Sequence, residues 1–212
     1  MEIRIKKVGK KIKGITVLRN ISLDMQSGLV YGIHGENGSG KTMLMRLIAG
    51  LIKPTTGVVY IDRKKLGKDI DFPEKTGMLL ENPAFLEQYT GKKNLEILAG
   101  LSGIINDEQI KLSLLRVGLI PDDKRKYRKY SLGMKQKLGI AAAVMEMPDL
   151  LILDEPFNAL DQQSVLRVKQ IICEERDRGA LILLACHDRQ VLEELADHIL
   201  VLENGQIKGV DL

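Results

Sequence analysis

The sequence predicts an α/β protein whose central sheet is mostly parallel, with an antiparallel β lobe at the N-terminus and a helical subdomain inserted in the chain. Beyond residue 148, apolar strand segments alternate with helical segments, and strands joined by helices pair in parallel through right-handed crossovers. Residues 1 to about 30 instead alternate apolar and polar positions between glycine breaks, which is typical of antiparallel strands. From residue 85 to about 147 the apolar residues recur at helical spacing.

Glycine, proline and asparagine bound the individual elements. Strands are predicted within residues 1–30 and at residues 29–33, 58–61, 77–80, 150–153, 180–186 and 199–202. Helices are predicted at residues 43–51, 94–101, 107–117, 132–147, 163–178 and 189–196, and residues 203–206 form a hairpin turn. Because a chain of 212 residues builds one core with a smaller lobe attached, we expect a single domain. Residues 1–82 and 148–212 form its core with the β lobe, and residues 83–147 form the helical subdomain.

The composition excludes several classes of protein. Hydrophobic residues at 44% and charged residues at 28% are ordinary globular values, and a net charge of +4 gives no reason to expect a nucleic-acid partner. No apolar run reaches the roughly 18 residues of a membrane span, and the N-terminus lacks the apolar region of a signal peptide. Cys173 and Cys186 are too few for a disulfide framework. We therefore expect a cytoplasmic protein.

A glycine-rich run, GENGSGKT, lies between the predicted strand 29–33 and the predicted helix 43–51. Its residues are Gly35, Glu36, Asn37, Gly38, Ser39, Gly40, Lys41 and Thr42, and Met43 follows. The glycines let backbone N–H groups turn inward around phosphate oxygens, Lys41 reaches the terminal phosphates and the Thr42 hydroxyl ligates Mg²⁺. A tight connection before a helix can carry similar glycines, but the strand and helix around this run favour a nucleotide ligand.

Two adjacent carboxylates follow the apolar residues 150–153. This places Asp154 and Glu155 at the carboxyl end of a buried strand, the edge where ligands bind in open α/β sheets. Asp154 is expected to hold Mg²⁺ through water, and Glu155 to polarise the water that attacks the γ-phosphate. An acidic pair that only ends a strand is the alternative, and the glycine-rich run weakens it.

A third segment, YSLGMKQ at residues 130–136, opens the predicted helix 132–147. With the two motifs above, it resembles the signature motif of ABC-type ATPases, in an SLGMKQ variant of the commoner LSGGQ. The resemblance covers residues 3 to about 207 and implies the ABC ATPase fold of the P-loop NTPases. It also implies that Ser131, Leu132, Gly133 and Met134 contact ATP bound by a second copy, so that a head-to-tail dimer encloses two nucleotides.

Two further positions match the family in the expected order. Residues 158–161 resemble the D-loop, whose Asp161 communicates across the dimer, and His187 resembles the switch histidine that touches the γ-phosphate. A lone histidine at a strand end is more often an ordinary structural residue. Its place after a strand and its distance from Glu155 in the sequence favour the functional interpretation.

Three positions depart from the family pattern. Glu81 stands where a glutamine usually ligates Mg²⁺ and senses the γ-phosphate, and Val8 stands near the place of the aromatic residue that stacks on adenine. Met43 replaces a common second threonine. The residues around Glu81 resemble transporters that export, or give immunity to, bacitracin- and lantibiotic-type peptides. A neutral change at residue 81 is the alternative.

The leading functional hypothesis is an ATP-binding subunit that hydrolyses ATP with Mg²⁺ and drives transport through separate membrane permease chains. We expect a homodimer on the cytoplasmic face of the membrane, with residues 83–98 contacting the permease through Ala84, Phe85 and Leu86. One alternative is a soluble ABC-type ATPase that serves cluster assembly or nucleic-acid maintenance. A P-loop phosphotransferase is a third hypothesis, but it does not explain the YSLGMKQ segment or His187.

Overall fold

The computed structural model describes residues 1–81 and 83–211. Its strands are β1 (Glu2–Ile12), β2 (Ile15–Gln26), β3 (Val30–His34), β4 (Thr56–Ile61), β5 (Lys64–Lys65), β6 (Thr76–Leu79), β7 (Leu150–Asp154), β8 (Leu181–Ala185), β9 (His198–Glu203) and β10 (Gln206–Asp211). Its helices are α1 (Lys41–Ile48), α2 (Gly91–Ser102), α3 (Asp107–Arg116), α4 (Leu132–Val144), α5 (Gln162–Asp177) and α6 (Arg189–Leu195), and Tyr127–Lys129 form a 3₁₀ turn. Residues 82 and 212, where the predicted core segments end, lie outside the described residues.

The N-terminal strands form an antiparallel sheet in the order β2-β1-β4-β5, as the alternating pattern predicts. Ile3 and Ile5 of β1 are buried, whereas Arg4 between them is exposed. This alternation breaks at Lys7, which has a positive φ of 47°, and the register with β2 shifts between Ile5 and Val8. The extra residue is a β-bulge, and it reverses which positions face the core.

The bulge decides where the Val8 side chain lies. Its side chain is fully buried in the core beneath the β lobe and pairs with Ile21 of β2. In an unbroken strand residue 8 would share the outward face of Lys6, but the bulge turns it inward. Val8 therefore presents no exposed surface on which a base could stack, and the place of residue 8 relative to adenine stays a prediction.

The central sheet has the order β10-β9-β3-β8-β7-β6. The five strands from β9 to β6 are parallel, and β10 pairs with β9 in the antiparallel sense. Every residue of β7 and β8 is buried, which explains their unbroken apolar runs, because a parallel sheet is covered on both faces. The predicted fold class is confirmed.

The two faces of the sheet contribute to two different hydrophobic cores. Leu150 and Ile152 of β7 pack in the core that includes α1 and the β lobe. Leu151 and Leu153, which point to the other face, pack with residues of α2 to α5. The carboxyl ends of the parallel strands meet at one edge, and the predicted functional residues lie there.

The element ends differ from the predictions where capping decides them. Helix α1 begins at Lys41 rather than residue 43, directly after Gly40. Helix α2 begins at Gly91 rather than residue 94, because the Thr90 side chain caps it by accepting a hydrogen bond from the Lys93 N–H at 3.2 Å. In the described part of the chain, no helix is long and apolar enough to cross a membrane.

Candidate active site

The phosphate loop (residues 35–42) leaves β3 and enters α1 in a conformation that needs glycine. Gly38 and Gly40 have φ angles of 82° and 110°, in the left-handed region. A Cβ atom on Gly35 would lie 2.3 Å from the carbonyl oxygen of Leu202, so the loop rests directly on β9. The Gly205 N–H also donates a 2.9 Å hydrogen bond to the Ser39 carbonyl. Contacts with β9 and the following turn therefore define the shape of the loop.

The loop holds a buried positive charge. The Lys41 side chain donates to the carbonyl oxygens of Gly35 at 2.6 Å and of Glu36 at 3.2 Å, and only 7% of the residue is exposed. Both acceptors are neutral, so they solvate the ammonium without cancelling its charge. The buried Ser39 hydroxyl oxygen has no hydrogen-bond partner among the described residues, and Gly40 caps α1 without a side-chain bond. A phosphate group would satisfy the Lys41 ammonium and the free N–H groups at the start of α1, so the loop fits a nucleotide.

The predicted metal ligands Thr42 and Asp154 meet across the sheet edge. The Thr42 hydroxyl donates a 2.6 Å hydrogen bond to Oδ2 of Asp154. Asp154 is 6% exposed, and this burial raises the pKa of its carboxyl above the usual range, while the Thr42 hydrogen bond acts in the opposite direction. Hydroxyl and carboxylate oxygens are ligands that Mg²⁺ prefers. The donor set therefore fits this ion.

Glu155 lies at the end of β7 with a strained backbone. Its φ of 51° is in the left-handed region, which costs a residue other than glycine about 1–3 kcal/mol. The Glu155 N–H donates to the Ala185 carbonyl of β8 at 2.9 Å, and its side-chain Oε2 lies 2.8 Å from Nδ1 of His187. The strand ends thus bring together the two residues predicted to be catalytic.

These residues surround a cavity of about 550 Å³. Lys41 is positively charged, whereas Glu36, Glu81, Asp154 and Glu155 are negatively charged. The lining residues are Val17, Glu36, Asn37, Gly38, Gly40, Lys41, Thr42, Met43, Glu81, Gln136, Asp154, Glu155 and Asn158. Even with Glu81 paired to Arg46 at 2.8 Å, more carboxylates than cations line the described cavity, and this repels an anionic nucleotide unless a further cation is bound. This excess of negative charge is a second reason to expect Mg²⁺ beside the phosphates.

Glu81 has a partner that the sequence did not indicate. Its Oε1 accepts a 2.8 Å hydrogen bond from the guanidinium of Arg46 in α1. The Glu81 backbone has a φ of 58°, so this residue is strained in the same way as Glu155. The structure therefore places the predicted metal ligand at the cavity, paired with an arginine.

The signature segment (residues 131–134) lies at the start of α4. The Ser131 hydroxyl accepts a hydrogen bond from the Met134 N–H at 3.2 Å and so caps the helix. Leu132 is 61% exposed, and a Cβ atom on Gly133 would lie 2.6 Å from the carbonyl oxygen of Ala159. None of these four residues is among the described residues that line the cavity.

Asp161 caps α5 and keeps a solvent-exposed carboxylate. Its Oδ1 accepts hydrogen bonds from the Ser164 hydroxyl at 2.7 Å and the Ser164 N–H at 2.8 Å. These bonds lower the pKa of the Asp161 carboxyl, with Ser164 the largest cause. The loop that precedes Asp161 contacts Gly133 through Ala159. The predicted D-loop and the signature segment are therefore neighbours in one chain.

Comparison with known families identifies this arrangement. The family model described as ABC transporter matches residues 18–158, which is more than half of the chain. The chain belongs to the ABC transporter family. This match includes the phosphate loop, the signature segment and the carboxylate pair, so the predicted family is confirmed.

The ABC family relatives extend over nearly the whole chain. An uncharacterized ABC transporter ATP-binding protein of Bacillus subtilis is 44% identical over 97% of this chain and 94% of its own length. The bacitracin transport ATP-binding protein BcrA of Enterococcus faecalis is 37% identical over 91% of this chain and 63% of its own length. The lantibiotic transport ATP-binding protein SrtF of Streptococcus pyogenes is 32% identical over 97% of this chain and 88% of its own length.

Solved structures agree with this assignment. A structure described as an ATP binding subunit of an ABC transporter superposes with a TM-score of 0.90 at 26% identity, over the whole of this chain and 90% of the other. A dimeric bacterial ABC transporter cassette superposes with a TM-score of 0.89 at 25% identity, over 99% of this chain and 97% of the other. The chain is thus an ABC-type ATPase that binds ATP.

Some residues that line the cavity of this ABC ATPase were not predicted from the sequence to lie there. Gln136 is 5% exposed, lines the cavity and donates through Nε2 to the Glu155 carbonyl at 3.0 Å. A signal was available for Gln136, because it shares the spacing of the buried residues Ile140 and Ala143 on α4. Val17 and Asn158 also line the cavity. No local pattern singles out Val17, since its position depends on how the β lobe sits against the loop.

Proposed function

We propose that this chain hydrolyses ATP in a head-to-tail homodimer and so drives a separate membrane permease that exports, or gives immunity to, antimicrobial peptides. One observation carries the dimer: the signature segment lies outside the nucleotide cavity of its own chain. Its exposed Leu132 and the N-terminus of α4 are free to face another subunit. A helix N-terminus attracts phosphate, which favours ATP bound by a second copy as the partner of Ser131.

Different cavity residues bind the phosphates and the metal ion. Lys41 and the N–H groups of residues 35–43 bind the phosphates, and Thr42, Asp154 and Glu81 hold Mg²⁺. When bound, this ion neutralises charge that develops on the phosphate oxygens. Oε1 of Glu81 accepts a hydrogen bond from Arg46, so Oε2 is the oxygen that remains to ligate the ion while this pair is formed. Met43 contributes its backbone N–H alone, since it has no side-chain hydroxyl.

Glu155 acts as the base in this mechanism. Its carboxylate accepts a proton from water while the water oxygen forms a bond to the γ-phosphorus, and the bond from that phosphorus to the ADP oxygen breaks. His187 orients the carboxylate through the 2.8 Å contact of Nδ1 with Oε2. The Gln136 side chain supports the strained Glu155 backbone by donating to its carbonyl. Because His187 and Gln136 both hold the strained Glu155, its carboxylate keeps its position from one round of ATP hydrolysis to the next.

An apolar groove supports the permease as a partner. It has a volume of about 510 Å³ and is lined by Arg46, Leu51, Ile52, Met78, Leu79, Leu80, Pro83, Ala84, Phe85, Leu98, Gly139 and Ala142. The groove includes part of the predicted surface 83–98, and Ala84 at its rim is exposed. Arg46 lines this groove and pairs with Glu81 in the cavity. A short apolar helix of a membrane protein fits such a groove, and ATP-driven closure of the dimer would move it.

Co-purification tests the partnership. The chain is co-expressed with any multispanning membrane protein whose gene adjoins its own, extracted in detergent and purified through a tag on the ATPase. Ala84→Glu should abolish recovery of the permease, because it places a charge in an apolar groove. Ile104→Glu is the matched control, since Ile104 is 62% exposed and outside the groove. Recovery of no membrane protein by the wild type would favour the soluble ATPase instead.

Drug susceptibility tests the substrate class. The relatives named for bacitracin and lantibiotic transport support peptide antibiotics as the substrates. Cells that express the full complex should survive higher concentrations of such a peptide than cells that carry the complex with Glu155→Gln. Equal survival against both peptide classes, with the ATPase active in the purified complex, would contradict the substrate while leaving ATP-driven transport intact.

A further inference from the structure

A sulfur, a nitrogen and an oxygen donor converge beside the magnesium ligands. The Cys186 sulfur, an imidazole nitrogen of His187 and a carboxylate oxygen of Glu155 all lie within 4.8 Å of one another. Two strand ends bring them together, since Glu155 follows β7 and the other two residues follow β8. Residues 1–81 and 83–211 contain no second such group of histidine, cysteine and carboxylate side chains.

This donor set differs in chemistry from the neighbouring one. Thr42 and Asp154 offer only oxygen atoms, which suit a hard ion such as Mg²⁺. A thiolate, an imidazole and a carboxylate are the ligands of Zn²⁺, which takes three protein ligands and leaves a fourth position open in many sites. We propose that Glu155, Cys186 and His187 form a second cation site that binds Zn²⁺ and, by occupying the catalytic pair, inhibits ATP hydrolysis.

The geometry needs only a small rearrangement. Zn²⁺ lies about 2.3 Å from sulfur and about 2.0–2.2 Å from nitrogen or oxygen, so its donors sit roughly 3.3–3.8 Å apart in a tetrahedral site. The pair Glu155 and His187 is closer than this, at 2.8 Å, and must separate slightly. The His187 side chain can move because it is 69% exposed. Burial fixes the position of the Cys186 sulfur and raises the pKa of its thiol to about 11, so Zn²⁺ must displace the thiol proton when it binds.

The site predicts a specific mode of inhibition. Zn²⁺ would engage the carboxylate that activates water and the imidazole that orients it, and would leave Lys41 and the phosphate loop untouched. Nucleotide binding should therefore persist while turnover stops. The inhibition rests on the proposed roles of Glu155 and His187, whereas Zn²⁺ binding by the three side chains does not.

Binding is tested on the isolated chain without nucleotide. Zn²⁺ is titrated against a colorimetric chelator, and Co²⁺ serves as a spectroscopic probe because its bond to a thiolate produces a charge-transfer absorption. The wild type should bind one ion per chain and show this absorption. Cys186→Ser should abolish it and weaken Zn²⁺ binding at least about 100-fold, since loss of even an outer partner of a ligand costs about 10–100-fold. Cys173→Ser, which removes the other free cysteine, is the matched control and should change neither.

His187→Gln provides a second variant on an exposed side chain, in case the buried substitution disturbs folding, and it should weaken Zn²⁺ binding as well. A wild type without the Co²⁺–thiolate absorption, or one whose absorption survives Cys186→Ser, would overturn the site.

Inhibition is tested separately, by comparing ATPase rates at increasing Zn²⁺ with each variant's own rate without Zn²⁺. Inhibition of the wild type and not of Cys186→Ser supports the regulatory role. Tight Zn²⁺ binding with unchanged turnover would overturn that role without affecting the proposed transport function.

Discussion

The phosphate loop and the signature segment both lie at helix N-termini, but they differ in how far the rest of the chain buries them. The phosphate loop is enclosed by its own chain, with Lys41 buried against two carbonyl oxygens and Gly35 pressed on β9. The signature segment projects outward, with Leu132 61% exposed and the Ser131 hydroxyl capping α4 through the Met134 N–H. The phosphate loop is therefore preorganised within its own chain, whereas the signature segment is a surface, which we propose forms the other half of a second subunit's nucleotide site.

This difference separates binding from turnover. A chain that encloses its own phosphate loop can bind ATP alone. In the proposed dimer another subunit's signature segment completes the environment of the γ-phosphate, so we expect hydrolysis to depend on assembly. The two regions are in contact within the chain, because Gly133 lies against the carbonyl of Ala159 in the loop that follows Glu155.

The largest effect should come from breaking the chemistry inside the cavity. Glu155→Gln removes the base and should lower turnover about 100- to 10,000-fold while ATP still binds. Trapped ATP should then hold the dimer together, which a sizing column detects as an ATP-dependent shift. Glu174→Gln is the control, since Glu174 is a surface carboxylate paired with Arg116. Wild-type turnover in Glu155→Gln would remove Glu155 from the role of base.

The second-largest effect should come from a change in the signature segment alone. Ser131→Arg places a bulky cation at the exposed start of α4 and should prevent dimer closure, while the affinity of the monomer for ATP changes less than about twofold because the phosphate loop is untouched. Light scattering and fluorescent-nucleotide titration measure the two quantities. Leu112→Arg, which adds the same charge at an exposed position of α3, is the control. An undiminished ATP-dependent dimer in Ser131→Arg would refute the assignment of the signature segment to a second subunit.

A smaller effect concerns the free-energy cost of burying the Asp154 carboxylate in the cavity. Burial raises the pKa of Asp154 in the folded protein, so its ionisation destabilises the nucleotide-free fold, and this cost grows as pH rises from the unfolded pKa to the folded pKa. Asp154→Asn should therefore raise the melting temperature at pH 7 by a few degrees, at roughly 2–4 °C per kcal/mol for a chain of this size.

The gain from Asp154→Asn should shrink as the pH falls and Asp154 becomes protonated in both states. Thermal unfolding without nucleotide, followed from pH 4 to pH 8, measures this dependence. A gain that is equal at every pH would rule out desolvation of the carboxylate as its cause. Asp177→Asn, at an exposed carboxylate of α5, is the matched control.

The smallest effect links the cavity to the apolar groove. Arg46→Gln frees the Glu81 carboxylate for Mg²⁺ and should strengthen Mg²⁺-dependent nucleotide binding up to about fivefold, because a partly exposed ion pair contributes no more than about 1 kcal/mol. The same substitution in a Glu81→Gln background should have no effect, which a double-mutant cycle measures. Equal effects in both backgrounds would show that Arg46 acts independently of Glu81.

Much of the fold could be predicted from sequence because it depends on local periodicity. The apolar runs of β7 and β8, the helical spacing of α4 and α5 and the phosphate loop are each encoded in consecutive residues. The same holds for Asp154 and Glu155, since a strand delivers its last residues to the edge of the sheet. The roles of the individual site residues remain predictions.

The burial of Val8 has a local cause with a tertiary consequence. A single bulge at Lys7 exchanges the two faces of β1, and nothing in the alternation before it announces the change. An inference that counts positions along a strand fails at such a point, because one extra residue turns every later side chain to the other face.

The sequence alone determined the fold class, the phosphate loop and the order of the motifs, because hydrogen-bonded turns and hydrophobic periods are properties of neighbouring residues. Tertiary structure alone decided which distant side chains meet. It paired Arg46 with Glu81, aimed Gln136 at the Glu155 carbonyl and gathered Cys186 and His187 around Glu155. These contacts join residues 19 to 35 positions apart, so they depend on the order of strands in the sheet rather than on any local pattern.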